Sequence, residues 1–156
     1  MPLMDANRAR KMMAEKGLDG LIASTSPNFY YASGFLAPLP GRPAFHVFPA
    51  DPAVKPAMLV ATFNEKVARH FPFQQEVQTY PIWIEIVDLK DVVENRLARQ
   101  EKPAQFDFRD IYGRLAAILK DKGLQGKTVG IEKEAYPPAA LSFLGEKCPG
   151  TKWLIE

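Results

Sequence analysis

Apolar positions in the first third of the chain follow two distinct periods. Across residues 3–16 they recur every three or four residues, which predicts a helix that ends at Gly17. Residues 18–23 form a short apolar run typical of a buried strand, and a turn-forming Ser-Thr-Ser-Pro sequence ends it. Residues 26–33 suit a short second helix, because Ser and Pro open it and Gly34 closes it. The chain is therefore expected to begin as helix, strand, helix.

The later segments continue this alternation. Residues 35–43 contain three prolines and predict an exposed, stiff loop. Two apolar runs, 44–48 and 57–61, are separated by further prolines and predict an antiparallel pair, whereas the more polar residues 75–80 predict a strand nearer an edge. Further helices are expected at 64–71, at 88–97 with Leu89 and Val93 on the apolar side, at 108–122 and at 137–148, and further strands at 128–131 and 153–155.

This order predicts a single α/β domain, in which a mixed sheet of five or six strands carries helices on both faces. The composition agrees, since 156 residues with 47% apolar and 24% charged side chains are enough for one ordinary hydrophobic core. The net charge of +2 is dispersed along the chain, which argues against nucleic acid as a partner. The apolar runs are far shorter than the ~20 residues of a membrane span, and a single cysteine fits a reducing, cytoplasmic compartment.

Catalytic chemistry is hard to find in the sequence. A hydrolytic metal site needs several converging ligands, and the two histidines, His46 and His70, are not paired at helical spacing. His46 is interpreted as a packed, hydrogen-bonded strand residue, His70 as a residue at a helix end in contact with the helix dipole or water, and Cys148 as a small hydrophobic residue. The sequence therefore predicts no catalytic residue and no metal ligand within this chain.

Two segments nevertheless resemble a known family. Residues 17–22 read GLDGLI and residues 26–35 read SPNFYYASGF, and together with the first helix they are similar to the N-terminal domain of creatinases, prolidases and aminopeptidases P. The resemblance implies that residues 1–156 form this N-terminal domain. It also implies that the catalytic pita-bread domain, a partner of this domain, lies outside the chain. That domain would hold two divalent metal ions, Mn, Co or Zn, unless the parent enzyme is creatinase-like.

A second resemblance concerns Arg42. The sequence Gly41-Arg42-Pro43 looks like the Gly-Arg-Pro loop of creatinases, in which the arginine reaches across a homodimer to the substrate carboxylate. A guanidinium on a proline-stiffened loop suits that role, because its planar fork of donors matches a carboxylate. A solvated loop arginine is the alternative. Pro40 stands where creatinases carry the aromatic that packs on creatine, so creatine is not the expected substrate.

Aromatic residues are the remaining candidates. Trp83 lies among loop signals, where an indole could form a lid over a catalytic cleft or a buried anchor. The aromatics around the second helix could line a substrate entrance or a subunit interface, but a core position is favoured for them; they are Phe29, Tyr30, Tyr31 and Phe35.

Two functions remain open at this point. The first is a non-catalytic N-terminal domain of a Xaa-Pro dipeptidase or creatinase-like hydrolase. Such a domain would build a homodimer and control access of a small peptide or amide substrate. The second is a free-standing α/β module that binds a small metabolite or a protein.

Overall fold

The computed structural model describes residues 3–36, 42–70, 75–81, 89–94 and 108–155. The helices of these ranges are α1 Ala6–Glu15, α2 Ser26–Ser33, α3 Glu65–His70, α4 Leu89–Val93, α5 Phe108–Asp121 and α6 Pro138–Lys147. The strands are β1 Gly20–Ala23, β2 Phe45–Pro49, β3 Ala57–Ala61, β4 Glu76–Tyr80, β5 Thr128–Ile131 and β6 Lys152–Ile155. Short 3₁₀ turns cover Thr62–Asn64 and Lys133–Ala135.

The six described strands form one mixed sheet in the order β4-β3-β2-β1-β5-β6. Strand β2 pairs antiparallel with both β1 and β3, whereas β3 with β4, β1 with β5, and β5 with β6 are parallel. The predicted antiparallel pair is confirmed, and the polar strand β4 lies at one end of the described sheet. The fold class predicted from the sequence, a mixed sheet in a single α/β domain, is confirmed.

One face of the sheet is covered by α5 and α6. Leu115, Ile118 and Leu119 of α5 are fully buried, and they pack with Leu144 of α6 and with the side chains that β1, β2, β3 and β5 direct to this face. The pattern follows the helical period of α5 and the two-residue period of the strands. This face carries the largest apolar cluster among the described residues.

The opposite face is covered by α1, α2 and α3. Its apolar residues fall into two smaller clusters, one in which Met13 of α1 packs with Leu18 and Phe48, and one in which Phe29 of α2 packs with Met58 of β3. The alternation along β2 and β3 explains the split between faces, because adjacent strand residues point to opposite sides. Helices therefore lie on both faces of the sheet, as the sequence predicts.

Two helices differ from the sequence prediction. Helix α1 begins at Ala6 rather than at residue 3, because the Asp5 side chain accepts hydrogen bonds from the backbone N–H groups of Asn7 and Arg8 at 2.9 and 3.1 Å and so caps the helix. In α4, Leu89 and Val93 are 75% and 76% exposed. The expectation that the apolar side of this helix packs is wrong for these two residues, because helical spacing alone does not bring a helix against a core. The rest of the helix predicted over 88–97 lies outside the described residues.

Candidate functional site

The sheet contains a point at which neighbouring parallel strands send the chain to opposite faces. Strands β1 and β5 run parallel and adjacent. After β1 the chain enters α2 on the face that also carries α1, whereas after β5 it leads to α6 on the other face. Open α/β sheets bind ligands in the crevice outside the carboxyl ends of strands at such a switch point. The side chains that meet there are therefore the first candidates for a functional site.

Glu132 occupies this switch point. The backbone N–H groups of Ser24 and Thr25 donate to its Oε2 atom, the latter at 3.0 Å, and the Thr25 hydroxyl and the Asn28 amide donate to Oε1. Burial alone would raise the pKa of Glu132, but these donors, with Thr25 first, outweigh it and lower the pKa below its usual value of 4.5. The carboxylate stays ionised and supplies a negative charge at the N-terminus of α2, where no side chain caps the helix otherwise.

Tyr136 completes this network. Its hydroxyl lies 2.8 Å from the Ser24 hydroxyl, and burial raises the pKa of the phenol well above its usual value. Because both oxygen atoms of Glu132 are saturated by donors, this carboxylate is not free to act as a general base. The network links the segments after β1 and β5, and its role is to fix α2 on the sheet.

A cavity lies beside this network, between α1 and the sheet. Its volume is about 590 Å³, and α1, α2 and the strands β1, β2, β5 and β6 enclose it. We call it the α1 cavity. Most of its walls are apolar, and among them are Met4, Met12, Met13, Leu18, Leu21 and Phe48. Gly130 also lines it, and a Cβ atom there would lie 2.6 Å from the Leu21 side chain, so glycine allows Leu21 and Leu18 to pack over β5.

His46 is the most buried polar side chain that lines the α1 cavity. It is 3% exposed, and its ring stacks on Phe48 with centroids 6.3 Å apart. Burial lowers the pKa of His46 to about 4, an effect that the neighbouring Gln75 offsets only in part, so the ring is neutral at pH 7. The Gln75 side chain is the hydrogen-bonding neighbour of the ring, while the Nδ1 atom of His46 and the Nε2 atom of Gln75 are each without a partner in good hydrogen-bond geometry among the described residues. The predicted packing of His46 is confirmed.

Arg42 lies elsewhere, beside the end of β4. The residue is half-buried, and the carbonyl of the adjoining Pro43 accepts a 2.7 Å hydrogen bond from the hydroxyl of the buried Tyr80. Burial raises the pKa of Tyr80 to about 12, and the nearby charge of Arg42 reduces this effect without reversing it. The phenol is therefore a permanent donor at neutral pH, and it fixes the backbone next to Arg42.

The other sequence candidates have mixed outcomes. Trp83 lies outside the described residues. Phe29 and Phe35 are 1% and 2% exposed and pack edge to face, which confirms their core position, whereas Tyr30 and Tyr31 are 40% and 48% exposed. The prediction of a core position is wrong for these two tyrosines, because α2 turns one side towards the outside of the domain.

His70 and Cys148 take up positions close to those expected. His70 lies at the end of α3, where its Nδ1–H donates to the Lys66 carbonyl at 2.6 Å. This contact places the ring at the C-terminal carbonyls of the helix, as the sequence predicts. Cys148 is buried at the end of α6 within the large apolar cluster, and burial raises the pKa of its thiol.

The described ranges contain no group of three or more His, Cys, Asp or Glu side chains that could hold a metal ion. Across the same ranges, every helix is too short or too polar to cross a lipid bilayer.

Sequence reasoning missed Glu132 and the α1 cavity. A signal for Glu132 was available, since an acidic residue that directly follows a buried strand lies at the carboxyl edge of a parallel sheet. The cavity had no comparable signal, because its walls come from segments separated by more than 100 residues.

Comparison with known proteins gives a consistent result. The family model of the Creatinase/Prolidase N-terminal domain matches residues 6–154. The fold is similar to that of the N-terminal domain of the cytoplasmic peptidase PepQ from Mycobacterium tuberculosis, at 16% identity and a TM-score of 0.65, with 97% of this chain and 91% of that chain covered. It is also similar to the Creatinase/Prolidase N-terminal domain of an X-Pro dipeptidase from Streptococcus pyogenes, at 15% identity and a TM-score of 0.64, with 96% and 91% covered.

A larger solved structure also matches. A dipeptidase from Pyrococcus horikoshii is similar at 19% identity and a TM-score of 0.60, with 98% of this chain covered but only 33% of that chain. At such identities the likeness concerns the fold. A comparison with curated proteins gives no match.

Proposed function

The chain belongs to the creatinase/prolidase N-terminal domain family, and from this we propose that it is the non-catalytic domain of a Xaa-Pro dipeptidase-like metallohydrolase. The observation that carries the proposal is the family match over residues 6–154. It is supported by the similar fold of N-terminal domains from peptidases and by larger dipeptidases of which this chain spans about a third. The divalent metal ions of the parent, Mn, Co or Zn, would be held by its catalytic domain, and these 156 residues would hold none.

Within such an enzyme, the domain would contribute to dimer formation and to substrate access. Arg42 would bind the substrate carboxylate in the partner subunit's active site. The hydrogen bond from the Tyr80 hydroxyl to the Pro43 carbonyl supports this role, because it limits the backbone conformations next to Arg42. A restrained arginine loses less conformational entropy when a substrate binds. A reducing compartment, the cytoplasm, is proposed from the single cysteine and from the fold shared with a cytoplasmic peptidase domain.

To test the proposal, the reading frame is sequenced past Glu156. The protein that it encodes is then assayed for hydrolysis of Ala-Pro in the presence of Mn, Co or Zn. The 156-residue chain is assayed alongside. We expect metal-dependent hydrolysis by the longer protein and none by the chain alone, because the two-metal chemistry would reside in the second domain. A reading frame that closes at Glu156, or chelator-sensitive turnover that the purified chain retains, would contradict the proposal.

Arg42 is tested in the same longer protein. Arg42→Ala should lower kcat/KM for Ala-Pro about 10–100-fold through loss of a charge-assisted contact, and Arg42→Lys should restore part of it. Ala-Pro amide is the control substrate and should be nearly insensitive to the change. Arg69→Ala, which removes an exposed, ion-paired arginine on α3, is the matched control variant. If Arg42→Ala lowered kcat/KM equally for Ala-Pro and for its amide, Arg42 would not bind the substrate carboxylate and would be a solvated loop residue.

A further inference from the structure

Strand β4 lies at one end of the described sheet and has an outward row of backbone groups. The Glu76 N–H donates to the Pro56 carbonyl at 2.9 Å, on the side of β3. Because successive strand residues direct their backbone groups to opposite sides, Val77 and Thr79 present their N–H and C=O groups away from β3. Outward groups of this kind are a template on which another chain can add a strand.

Two arginine side chains bind the outward carbonyls of β4. Arg69 of α3 donates from Nη2 to the Val77 carbonyl at 3.3 Å. Arg114 of α5 donates from Nη1 to the Thr79 carbonyl at 3.1 Å. Helices α3 and α5 pack on opposite faces of the sheet, so the two guanidinium groups reach the same edge from both sides. Together they occupy two successive carbonyls that an added strand would need.

Each guanidinium is positioned in the same way. Glu65 lies four residues before Arg69 and accepts from its Nε atom at 2.9 Å. Asp110 lies four residues before Arg114 and accepts from its Nε atom at 3.0 Å. The two arginine side chains are 55% and 43% exposed, and exposed ion pairs contribute little to stability. The repeated arrangement therefore has more effect on the edge of the sheet than on the stability of the fold.

The sequence of β4 carries little protection of its own. Residues 77–80 read VQTY, without proline and without a charged side chain, and valine, threonine and tyrosine favour strands. The pairing of β3 with β4 is continuous over five residue pairs and has no bulge. Prolines, charges and bulges are the usual means by which proteins protect an edge strand. Among the described residues, the protection of this edge therefore comes from Arg69 and Arg114.

A second copy of β4 fits this edge. Antiparallel pairing centred on Gln78 places Val77 of one copy opposite Thr79 of the other. Both residues have outward backbone groups, so each such pair can exchange both of its N–H···O bonds. Valine opposite threonine is a favourable cross-strand pair. With the arginines in place, the carbonyls are already bound, and guanidinium groups of both copies would lie close together.

We propose that Arg69 and Arg114 close the β4 edge, and that without them this edge pairs with β4 of a second copy of the chain. The inference does not depend on the activity of the parent enzyme, because neither arginine takes part in the proposed substrate contact.

The experiment compares the wild-type chain with Arg69→Ala/Arg114→Ala by sedimentation velocity at submillimolar concentration. The mass of the double variant should be about twice that of the wild type, because the same edge pairs about a two-fold axis. Either single variant leaves one outward carbonyl bound and should keep the wild-type mass. Amide hydrogen exchange at Val77 and Thr79 should be slower in the double variant than in the wild type, because their N–H groups enter the new ladder.

Two further variants serve as controls. Lys66→Ala/Lys120→Ala removes two exposed positive charges from the same two helices and should keep the wild-type mass. Adding Thr79→Pro to the arginine double variant should restore the wild-type mass, because proline removes an outward N–H and is tolerated on an edge strand. Alanine favours helices, so the double variants should still unfold in one cooperative transition, which chemical denaturation measures.

Three results would overturn the proposal. The first is a double variant that keeps the wild-type mass at every concentration. The second is equal association of the lysine control, which would make the net charge rather than the edge the cause. The third is association without slower exchange at Val77 and Thr79, which would place the contact on another surface.

Discussion

The two faces of the sheet are built in different ways. The face under α5 and α6 carries one continuous apolar cluster, in which Leu115 and Leu144 are fully buried and the phenol of Tyr80 donates to a carbonyl. The face under α1 carries two smaller clusters, a cavity of about 590 Å³ and a buried histidine with an unpaired nitrogen atom. The first face is closely packed and its buried phenol is hydrogen-bonded. The second face contains a cavity and an unpaired buried nitrogen atom.

This difference indicates which face contributes more to stability. Close packing and paired polar groups lower the free energy of the folded state, and an unpaired buried polar atom raises it by about 1–3 kcal/mol. Natural proteins tolerate such departures chiefly at functional sites. The α5 face is therefore expected to contribute more to the stability of this domain than the α1 face does.

The largest expected effect lies on the α5 face. Leu115→Ala should lower the free energy of unfolding by about 2–5 kcal/mol, because a fully buried side chain is replaced by a void in a closed cluster. Chemical denaturation measures the change. Leu89→Ala, at a side chain that is 75% exposed, is the control and should change stability by less than about 0.5 kcal/mol. A Leu115 variant as stable as the control would show that this cluster is not the main core.

The buried His46 of the α1 face should make the free energy of unfolding depend on pH. Because burial lowers the pKa of His46 from 6.5 to about 4, the unfolded chain binds a proton in this window that the folded chain does not. Stability should thus be fully present above pH 6.5 and fall by about 3 kcal/mol by pH 4. His46→Phe should remove this dependence and match or exceed the wild type at pH 7.

Denaturation of both proteins between pH 7 and pH 5 provides the measurement, since this range lies above the titration of Glu132. Equal slopes for the variant and the wild type would place His46 in contact with water rather than in the interior.

The Glu132 carboxylate should make a contribution to stability that depends on pH, and Glu132→Gln should remove it. At pH 7, Glu132→Gln should cost about 1–3 kcal/mol, because a carboxylate that accepts several hydrogen bonds is replaced by an amide that cannot accept them all. Since the folded-state pKa is lowered, the advantage of the wild type is present above 4.5 and should shrink as the pH falls further. Glu134→Gln, at an exposed neighbour, is the matched control. A penalty that does not change with pH would rule out the charge as its source.

The smallest effect concerns a satisfied polar group on the α5 face. Tyr80→Phe should lower stability by about 1 kcal/mol, because the Pro43 carbonyl loses its donor while the ring stays in place. Thermal unfolding of this variant and of Tyr30→Phe, at an exposed tyrosine, measures the difference. If Tyr80→Phe were more stable than the wild type, the Tyr80 hydroxyl would not stabilise the fold. The α5 face would then not differ from the α1 face in how its buried polar groups affect stability.

Much of the fold was predictable because it is encoded locally. The period of α5, the Ser-Pro opening and Gly34 closing of α2, and the antiparallel pair β2 and β3 all follow from neighbouring residues, and the structure confirms each of them. Gly34 has a φ of 71°, a conformation that favours glycine over other residues and ends the helix. The spacing of apolar residues gave a wrong prediction for Leu89, which is exposed. Spacing shows which residues share a helical face, but it does not show whether that face packs against another element.

The sequence by itself determined the α/β class, the order of most elements and the family, since these depend on periodicity and on short motifs. Only the tertiary structure decided that Glu132 meets Thr25 across 107 residues, that His46 keeps an unpaired nitrogen atom, and that α1 leaves a cavity above the sheet. The physical reason is that such contacts depend on strand register and on the distance between packed layers. Strand register and layer distance depend on all segments together and cannot be predicted from any one segment alone.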